Sequence, residues 1–469
     1  MADPTLTYLP IRDLAARLKA KTLSPVALTE QCLTRLETLG SQLNAVVTVM
    51  RESALAEARR AESEIRAGRY RGLLHGIPYG VKDLLATKGV PTTWGAEPYR
   101  NQVFDHDATV VTRLRQAGAV LCAKLAMVEL AGGMGYNHAD ASFTGPGRSP
   151  WNTNYWSGGS SSGPGAAVAA GLVPFAIGSE TSGSILTPSA YCGVSGLRPT
   201  YGRVSRHGAM ALSWTLDKLG PMGRTADDCA IVLAAIAGHD PLDESSVKRD
   251  FVYRERAKVV GKLRVAVPKD CVEKVQPAVR ENFEAALKAL ADVITVTRDV
   301  EWPDQPWGPA VSAIVSAEGA AAFVDLIESG DVAQLRCPAC RTGGYSGLLL
   351  PAVDYVQAMR ARRPMRHAMA RLFEKFDVVA TPTRATVAYP TDTNFENAYP
   401  GVSGGPAVIA AGNLAGLPAL ALPSGFGEHG LPTSLALLGP AFSEARLVAL
   451  GSTYQTCTDW HRRQPEAFR

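Results

Sequence analysis

The sequence predicts an α/β fold, on two observations. Between about Leu74 and Met222, short apolar runs such as residues 119–122 alternate with helical patterns, and such alternation is typical of layered strands and helices. Further strand-like runs lie before and after a helical stretch in the second half, at Leu263–Val267, Val378–Thr381, Ala419–Leu422 and Thr433–Leu438. We therefore expect one sheet assembled from distant segments, and a single domain over residues 1–469.

The sequence predicts three helices in the N-terminal part. Ile11, Leu14 and Leu18 recur at helical spacing. The pair Ser24-Pro25 places a capping side chain before a proline at the first position of a second helix. A third, Ala-rich helix is predicted over Glu52–Arg66. Helical patterning returns between residues 271 and 371, interrupted by a predicted loop at about residues 337–350.

Composition excludes several classes of protein. Of the 469 residues, 46% are hydrophobic and 20% are charged, which is enough to bury a sizeable core and unlike disordered or fibrous chains. Lys and Arg total 48 against 44 Asp and Glu, so charge alone gives no reason to expect nucleic acid or an anionic membrane. The chain shows neither a targeting signal nor an apolar run of about 18 residues. We expect a soluble, cytoplasmic protein with no membrane partner.

The eight cysteines are scattered along the chain rather than grouped in a short framework, which favours reduced thiols. Cys337 and Cys340 have the spacing of a metal or redox motif, but no second pair of cysteines follows. We interpret them as two loop thiols, and leave a local disulfide open as the alternative.

Two serine clusters embedded in glycine carry the first chemical signal, at residues 157–165 and 178–185. Glycine lets backbone N–H groups approach an anion, yet neither common phosphate-loop pattern is present. The donors can instead face the oxyanion of acyl transfer. A serine nucleophile needs a base, and no histidine lies in a supporting motif. Lys82, at the end of the apolar run 76–83, is the candidate because burial lowers the pKa of lysine.

These segments belong to a longer series of motifs. In chain order they are Gly76-x-Pro78-x-x-Val81-Lys82-Asp83, Gly158-Gly159-Ser160-Ser161, Gly183-Ser184-Ile185 and Gly193-x-x-Gly196-Leu197-x-Pro199-Thr200-x-Gly202. Together they resemble the amidase signature family, most densely between about residues 72 and 228. The resemblance implies a mixed, twisted central sheet with helices on both faces. It also leaves residues 271–381 as a variable region that we expect to shape the substrate site.

The resemblance further implies a Ser-Ser-Lys triad. Ser184 matches the nucleophile, Ser160 the bridging serine that follows a cis peptide bond, and Lys82 the general base. A neutral lysine at pH 7 requires a pKa about 3 units below its usual value, so we expect Lys82 to be buried. The family's oxyanion hole corresponds to the amides of Thr181, Ser182, Gly183 and Ser184. Met134 matches a position that lines the substrate site in some members, and the mechanism requires no metal or organic cofactor.

The chain departs from the family's common pattern near the nucleophile. Glu180 replaces an aspartate, and Leu186 replaces the arginine that usually follows Ser-Ile. The triad survives both changes. The missing arginine weighs against the glutamine-dependent members that serve tRNA.

Three functions compete. The first is a stand-alone amidase that converts a small-molecule amide, or a related anilide, carbamate or ester, to an acid through a serine acyl-enzyme. The alternative is the A-type glutaminase subunit of a tRNA-dependent amidotransferase, and the third is a non-catalytic amide-binding scaffold. We expect the first, with no nucleic-acid partner, and leave a homodimer open because many relatives are dimers. Apolar residues of the variable region would line an acyl pocket or belong to the core; they are Trp302, Trp307, Phe323 and Leu348–Leu350.

Overall fold

The computed structural model describes residues 5–253, 255, 259, 261–404 and 407–469. In these ranges the strands are β1 (Val46–Val49), β2 (Pro78–Lys82), β3 (Val120–Leu125), β4 (Arg148–Ser149), β5 (Asn152–Trp156), β6 (Phe175–Glu180), β7 (Ser195–Arg198), β8 (Lys218–Gly223), β9 (Leu263–Pro268), β10 (Ile294–Val300), β11 (Val378–Pro382), β12 (Ala419–Phe426) and β13 (Pro432–Leu438).

The α-helices of the same ranges are α1 (Ile11–Lys19), α2 (Pro25–Leu39), α3 (Arg51–Arg66), α4 (Thr109–Gln116), α5 (Ser162–Ala169), α6 (Leu186–Cys192), α7 (Ala226–Ile236), α8 (Pro277–Ala289), α9 (Trp307–Ala322), α10 (Val324–Glu328), α11 (Pro338–Leu348), α12 (Ala352–Lys375), α13 (Phe395–Ala398), α14 (Val408–Leu414) and α15 (Glu444–Cys457). None of them is long and apolar enough to cross a membrane.

Eleven strands form one mixed sheet in the order β1-β3-β2-β6-β8-β7-β12-β13-β11-β9-β10. The pairs β2–β3, β2–β6, β9–β11 and β9–β10 are parallel, and the other neighbours are antiparallel. The predicted mixed α/β fold is confirmed. The four strand-like runs of the second half correspond to β9, β11, β12 and β13.

Helices bury both faces of this sheet, and β3 shows how. Val120 and Cys122 belong to an apolar cluster with residues of α2, α3 and α5. Leu121, between them, belongs instead to the cluster that contains residues of α1, α4 and α7. Because successive side chains of a strand point to opposite faces, a strand without polar alternation is expected where both faces are covered.

The three N-terminal helices are confirmed as α1, α2 and α3. Ser24 caps α2, accepting the N–H groups of Val26 and Ala27 at 3.1 and 3.2 Å. The loop predicted near residues 337–350 is wrong, since most of it forms α11. Pro338 occupies the first turn of this helix, where its missing N–H costs nothing. Glycines that looked like loop residues let α11 lie close to its neighbours: a Cβ on Gly343 would lie 1.9 Å from the carbonyl oxygen of Met134.

The predicted site lies at the carboxyl ends of two neighbouring strands of the sheet. Lys82 is the last residue of β2, and Glu180 is the last residue of the neighbouring strand β6. These two strands are parallel, so their carboxyl ends meet, and ligand sites of α/β sheets form at such ends. The loop from β6 to α6 carries Ser184, and the loop before α5 carries Ser160.

Candidate active site

Lys82 is completely buried. Its Nζ donates to Ser160 Oγ at 2.7 Å and to Ser179 Oγ at 2.9 Å. Burial lowers the pKa of Lys82 to about 7, although the negative charges of Asp217 and Glu180 act in the opposite direction. The expectation of a buried lysine is confirmed, and the lowered pKa agrees with its predicted role as a base.

Ser160 follows a cis peptide bond with Gly159, as the resemblance implied. The side chain is buried, and the carbonyl oxygen accepts the N–H of Val128 at 3.0 Å. Gly158, just before this bond, has a φ of 84°, and a Cβ there would lie 2.7 Å from Cα of Pro188 in α6. The glycine therefore permits both the backbone conformation and the close approach of the loop to α6.

Ser184 lies between β6 and α6 and keeps 8% of its surface exposed. Its carbonyl oxygen accepts the N–H of Ser161 at 3.3 Å, which joins the two serine loops. Across the described ranges no hydrogen bond links Ser184 Oγ to Ser160 Oγ. Catalytic hydrogen bonds are often incomplete before substrate binds, so proton transfer between the two serines requires a closer approach of their hydroxyls.

The segment 181–184 presents free backbone donors. No described residue accepts a hydrogen bond from the N–H groups of these four residues, whereas the carbonyl of Gly183 is satisfied by the N–H of Thr187 at 2.8 Å. Gly183 has a φ of 89°, a conformation that glycine adopts without steric cost. Unpaired N–H groups at this turn are what an oxyanion requires.

Glu180 holds the turn that carries Ser184 through hydrogen bonds to the residues that follow this serine. Its Oε2 accepts the N–H groups of Ile185 and Leu186 at 2.9 and 3.0 Å. Its Oε1 lies 2.8 Å from Nη1 of Arg198 and accepts Nδ2 of Asn413 at 2.9 Å. Burial acts to raise the pKa of Glu180, but Arg198 and Asn413 overcome it and hold the pKa at about 2. The carboxylate therefore stays ionised while it anchors the residues that follow Ser184.

Asp217 holds the other side of the same turn. Its Oδ1 accepts the hydroxyl of Thr181 at 2.6 Å, and its Oδ2 accepts the N–H groups of Leu212 and Ser213 at 2.8 and 2.9 Å. Burial raises the pKa of Asp217, while these hydrogen bonds lower it. Asp217 thus connects the segment 212–217 to Thr181, the first residue of the predicted oxyanion segment.

A buried ion pair lies directly behind the predicted base. Asp83 Oδ1 is 2.9 Å from Lys124 Nζ, and both side chains are fully buried. The other oxygen of Asp83 accepts the N–H of Thr93 at 3.0 Å. Burial lowers the pKa of Lys124, and Asp83 opposes this effect. The pair ties the carboxyl end of β2 to β3.

Met134 and the cysteine pair lie together at α11. A Cβ on Gly344 would lie 3.1 Å from the sulfur of Met134, and Cys340 Sγ donates to the carbonyl of Gly135 at 2.8 Å. These contacts place Met134 against α11 and do not connect it to Lys82, so its role at the substrate site stays a prediction. The two cysteines are free thiols. Cys337 lies in the loop just before α11, at its N-cap position, whereas Cys340 lies within the helix, so the loop prediction is wrong for Cys340. The described ranges contain no group of three or more metal-binding side chains.

The apolar residues of the variable region divide between core and surface. Trp307 and Phe323 are buried at 3% and 2% exposure, which places them in the packed interior. Leu349 is 82% exposed. These side chains do not form one pocket wall.

Three residues of this site were not predicted from the sequence. Ser179, Arg198 and Asn413 act through partners that are distant along the chain, and serine, arginine and asparagine are common at surfaces. For Ser179 a usable signal exists, because it lies beside Glu180 at the end of a buried strand. Arg198 and Asn413 give no such signal, because only strand and helix packing brings them to Glu180.

Comparison with known proteins places this site among related enzymes. Curated relatives include the A subunit of glutamyl-tRNA(Gln) amidotransferase from Roseiflexus sp. (strain RS-1), 37% identical over 98% of this chain and 99% of the relative. The protein of the same name from Methylococcus capsulatus is 38% identical over 97% and 98%. Among solved structures, the peptide amidase from Stenotrophomonas maltophilia matches with a TM-score of 0.83 and 31% identity, over 95% of this chain and 96% of that one.

Two expectations are wrong in the light of these relatives. The proteins from Roseiflexus and Methylococcus are subunits of an amidotransferase and are named for a tRNA, which contradicts both a stand-alone amidase acting on a small molecule and the absence of nucleic acid. The triad motifs could not separate the two classes, because both cleave an amide with the same groups. The missing arginine at Leu186 also pointed to the wrong class of relative. In the structure the buried cation beside Glu180 is Arg198.

The match to the family extends well beyond the motif-rich segment. The family model described as Amidase matches residues 27–448, which includes β1 to β13 and every site residue described above. The loops that carry the two serines and the sheet that supports them therefore correspond to one family pattern. This chain belongs to the amidase family.

Proposed function

We propose that this chain is the amide-hydrolysing subunit of a glutamyl-tRNA(Gln) amidotransferase, and that it releases ammonia from the side-chain amide of glutamine. The observation that carries the proposal is the full-length similarity to proteins of that name, at 37% and 38% identity. The buried Lys82–Ser160 contact beside Ser184 supports an active enzyme rather than a scaffold.

The reaction starts with the lysine as base. Neutral Lys82 accepts the proton of Ser160 while Ser160 accepts that of Ser184, whose Oγ attacks the amide carbon. The negative charge that develops on the carbonyl oxygen is stabilised by the free N–H groups of residues 181–184. These donors are held in place before the reaction by Glu180 and Asp217, so little reorganisation is needed as charge develops.

The acyl-enzyme forms when the tetrahedral intermediate collapses and the protons move back along the same path, and water then hydrolyses it. Protonated Lys82 returns its proton through Ser160 to the leaving nitrogen, and ammonia departs. Water attacks the ester on Ser184 with the same base, and glutamate is released. Every proton moves between groups of this chain, substrate and water.

Reconstitution tests the proposal. The chain would be purified alone and with the other subunits of the amidotransferase from the same organism. Ammonia release from glutamine and conversion of glutamyl-tRNA(Gln) to glutaminyl-tRNA(Gln) would then be measured. We expect amide transfer to tRNA only in the complete assembly and not with Ser184→Ala. Rapid turnover of simple amides by the chain alone, unchanged by the other subunits, would contradict the proposal.

A further inference from the structure

A cavity of about 390 Å³ lies against the nucleophile turn. Ser182 and Leu186, two residues to either side of Ser184, form one wall. Residues 381–386, which include the end of β11, and the start of α14 also line the cavity. The cavity therefore has the size and the position to hold the part of a substrate that extends away from the scissile amide.

Two arginines line this cavity, and only one of them is neutralised. Arg198 is paired with Glu180. Arg384 has no carboxylate within 4.0 Å among the described residues. Its Nε is buried without a hydrogen-bond partner, and its Nη2 donates to the phenol of Tyr389 at a long 3.4 Å. Among the described residues that line the cavity, none other than these two arginines carries a full charge, so their net charge there is positive and Arg384 lacks a counter-ion among them.

Arg384 is partly buried, and the fully buried arginines of this chain are satisfied differently. Arg203 is paired with Glu444 at 2.9 Å. Arg224 and Arg362 donate to backbone carbonyl oxygens at 3.2 Å or less. Burying a cation without an anion or a full set of acceptors is unfavourable. The exception at Arg384 is therefore informative, because it lies where a ligand would supply the missing acceptors.

The surroundings of Arg384 strengthen this interpretation. The phenol groups of Tyr191 and Tyr389 face Arg384, and their interactions with the guanidinium raise its pKa. Burial acts to raise the pKa of Tyr389, but Arg384 reverses the effect and the pKa falls below its usual value. The two phenol rings pack edge to face, 5.7 Å apart. Tyr191 lies on α6, the helix that begins just after Ser184, so the guanidinium is held at a fixed position relative to the nucleophile turn.

We propose that Arg384 forms a carboxylate subsite in this cavity and selects amide substrates that carry a carboxylate group. The planar guanidinium matches a carboxylate with two parallel hydrogen bonds, and its free Nε is one of the donors that such a pair uses. The inference rests on the proposed function, since glutamine is such a substrate, but it makes a claim that can fail separately.

The test compares two amides of matched length. Succinamate carries a carboxylate where butyramide carries a methyl group. Binding of each to Ser184→Ala protein, observed by ligand NMR, needs no turnover. Adding Arg384→Gln should weaken succinamate binding about tenfold to a hundredfold and change butyramide binding less than about twofold. Arg384→Lys should retain part of the preference. Arg363→Gln, which removes an exposed arginine of α12, is the matched control and should change neither.

The outcomes separate the two proposals. Equal binding of the two amides by the Ser184→Ala protein, or equal weakening of both in Arg384→Gln, would overturn the carboxylate subsite. If succinamate is preferred through Arg384 but the complete assembly does not convert glutamyl-tRNA(Gln), the carboxylate subsite is supported and the proposed function is contradicted. Thermal unfolding of each variant shows whether it is folded. If Arg384→Gln is not folded, the comparison of the two amides is made with Arg384→Lys.

Discussion

Glu180 and Arg198 form a fully buried ion pair, with Oε1 and Nη1 2.8 Å apart, directly beneath the turn that carries Ser184. The same carboxylate accepts two backbone N–H groups just after the nucleophile. Stability and site geometry therefore depend on one cluster.

Replacing Arg198 by Met should destabilise the protein by about 3 to 5 kcal/mol, because a buried carboxylate loses its cation. The free energy of unfolding in urea measures this. Arg363→Met, on an exposed face of α12, is the control and should change it by less than about 0.5 kcal/mol. A similar small loss in both variants would show that Glu180 does not depend on Arg198.

The proposed relay predicts a pattern of activity losses. Ser184→Ala should abolish ammonia release, and Lys82→Ala and Ser160→Ala should each reduce it by orders of magnitude. A variant lacking both Lys82 and Ser160 should be little worse than either single variant, because the groups act as a unit. Ser162→Ala, which removes the nearby first serine of α5 that donates to the carbonyl oxygen of Ala126 at 3.4 Å, should retain near-normal rates. Full activity of Ser184→Ala would refute the mechanism.

The rate should depend on pH through Lys82. Its pKa of about 7 means that the neutral base is present above pH 7 and is lost as pH falls, so kcat/KM should decline on the acid side with a midpoint near 7. Asp217 raises this pKa, and therefore Asp217→Asn should move the midpoint to lower pH. A midpoint that stays in place in this variant would mean that another group controls the acid limb.

The Asp83–Lys124 pair predicts non-additive stability. Lys124→Met alone leaves the buried carboxylate of Asp83 unpaired and should cost about 3 to 5 kcal/mol of unfolding free energy. Combining it with Asp83→Asn removes that charge, so the double variant should be more stable than Lys124→Met. Chemical denaturation of the four proteins in the cycle gives the coupling energy, and simple additivity would contradict the pairing.

Two helical glycines provide a matched pair of alanine substitutions. A Cβ on Gly343 of α11 would lie 1.9 Å from the carbonyl oxygen of Met134, whereas nothing lies within 4 Å of one on Gly308 of α9. Gly343→Ala should lower the melting temperature because the backbone must move. Gly308→Ala should leave it unchanged or raise it, since alanine favours helix by about 0.5 to 1 kcal/mol. Equal shifts would show that α11 does not approach Met134 so closely.

Local patterns were sufficient to predict much of the fold and the loops of the site. Strands such as β12 could be read from apolar runs, and α2 from Ser24 and Pro25, because these signals depend on neighbouring residues. The α11 error arose because Gly343 and Gly344 serve close packing rather than a turn. Arg198 and Arg384 could not be anticipated, since their surroundings come from elements far apart in the sequence. The partner class was misjudged because identical amide chemistry serves both kinds of enzyme.

The position of β12 and β13 in the sheet has a consequence for synthesis. Residues 419–438 stand between β7 and β11, and they alone join the two groups of strands made earlier. A chain emerging from the ribosome therefore holds two open strand edges until its last fifty or so residues appear, and exposed edges invite pairing with other chains. A nascent chain that stalls before residue 419 would contain both groups of strands but would lack β12 and β13, which join them. Such a chain would be a preferred client for chaperones.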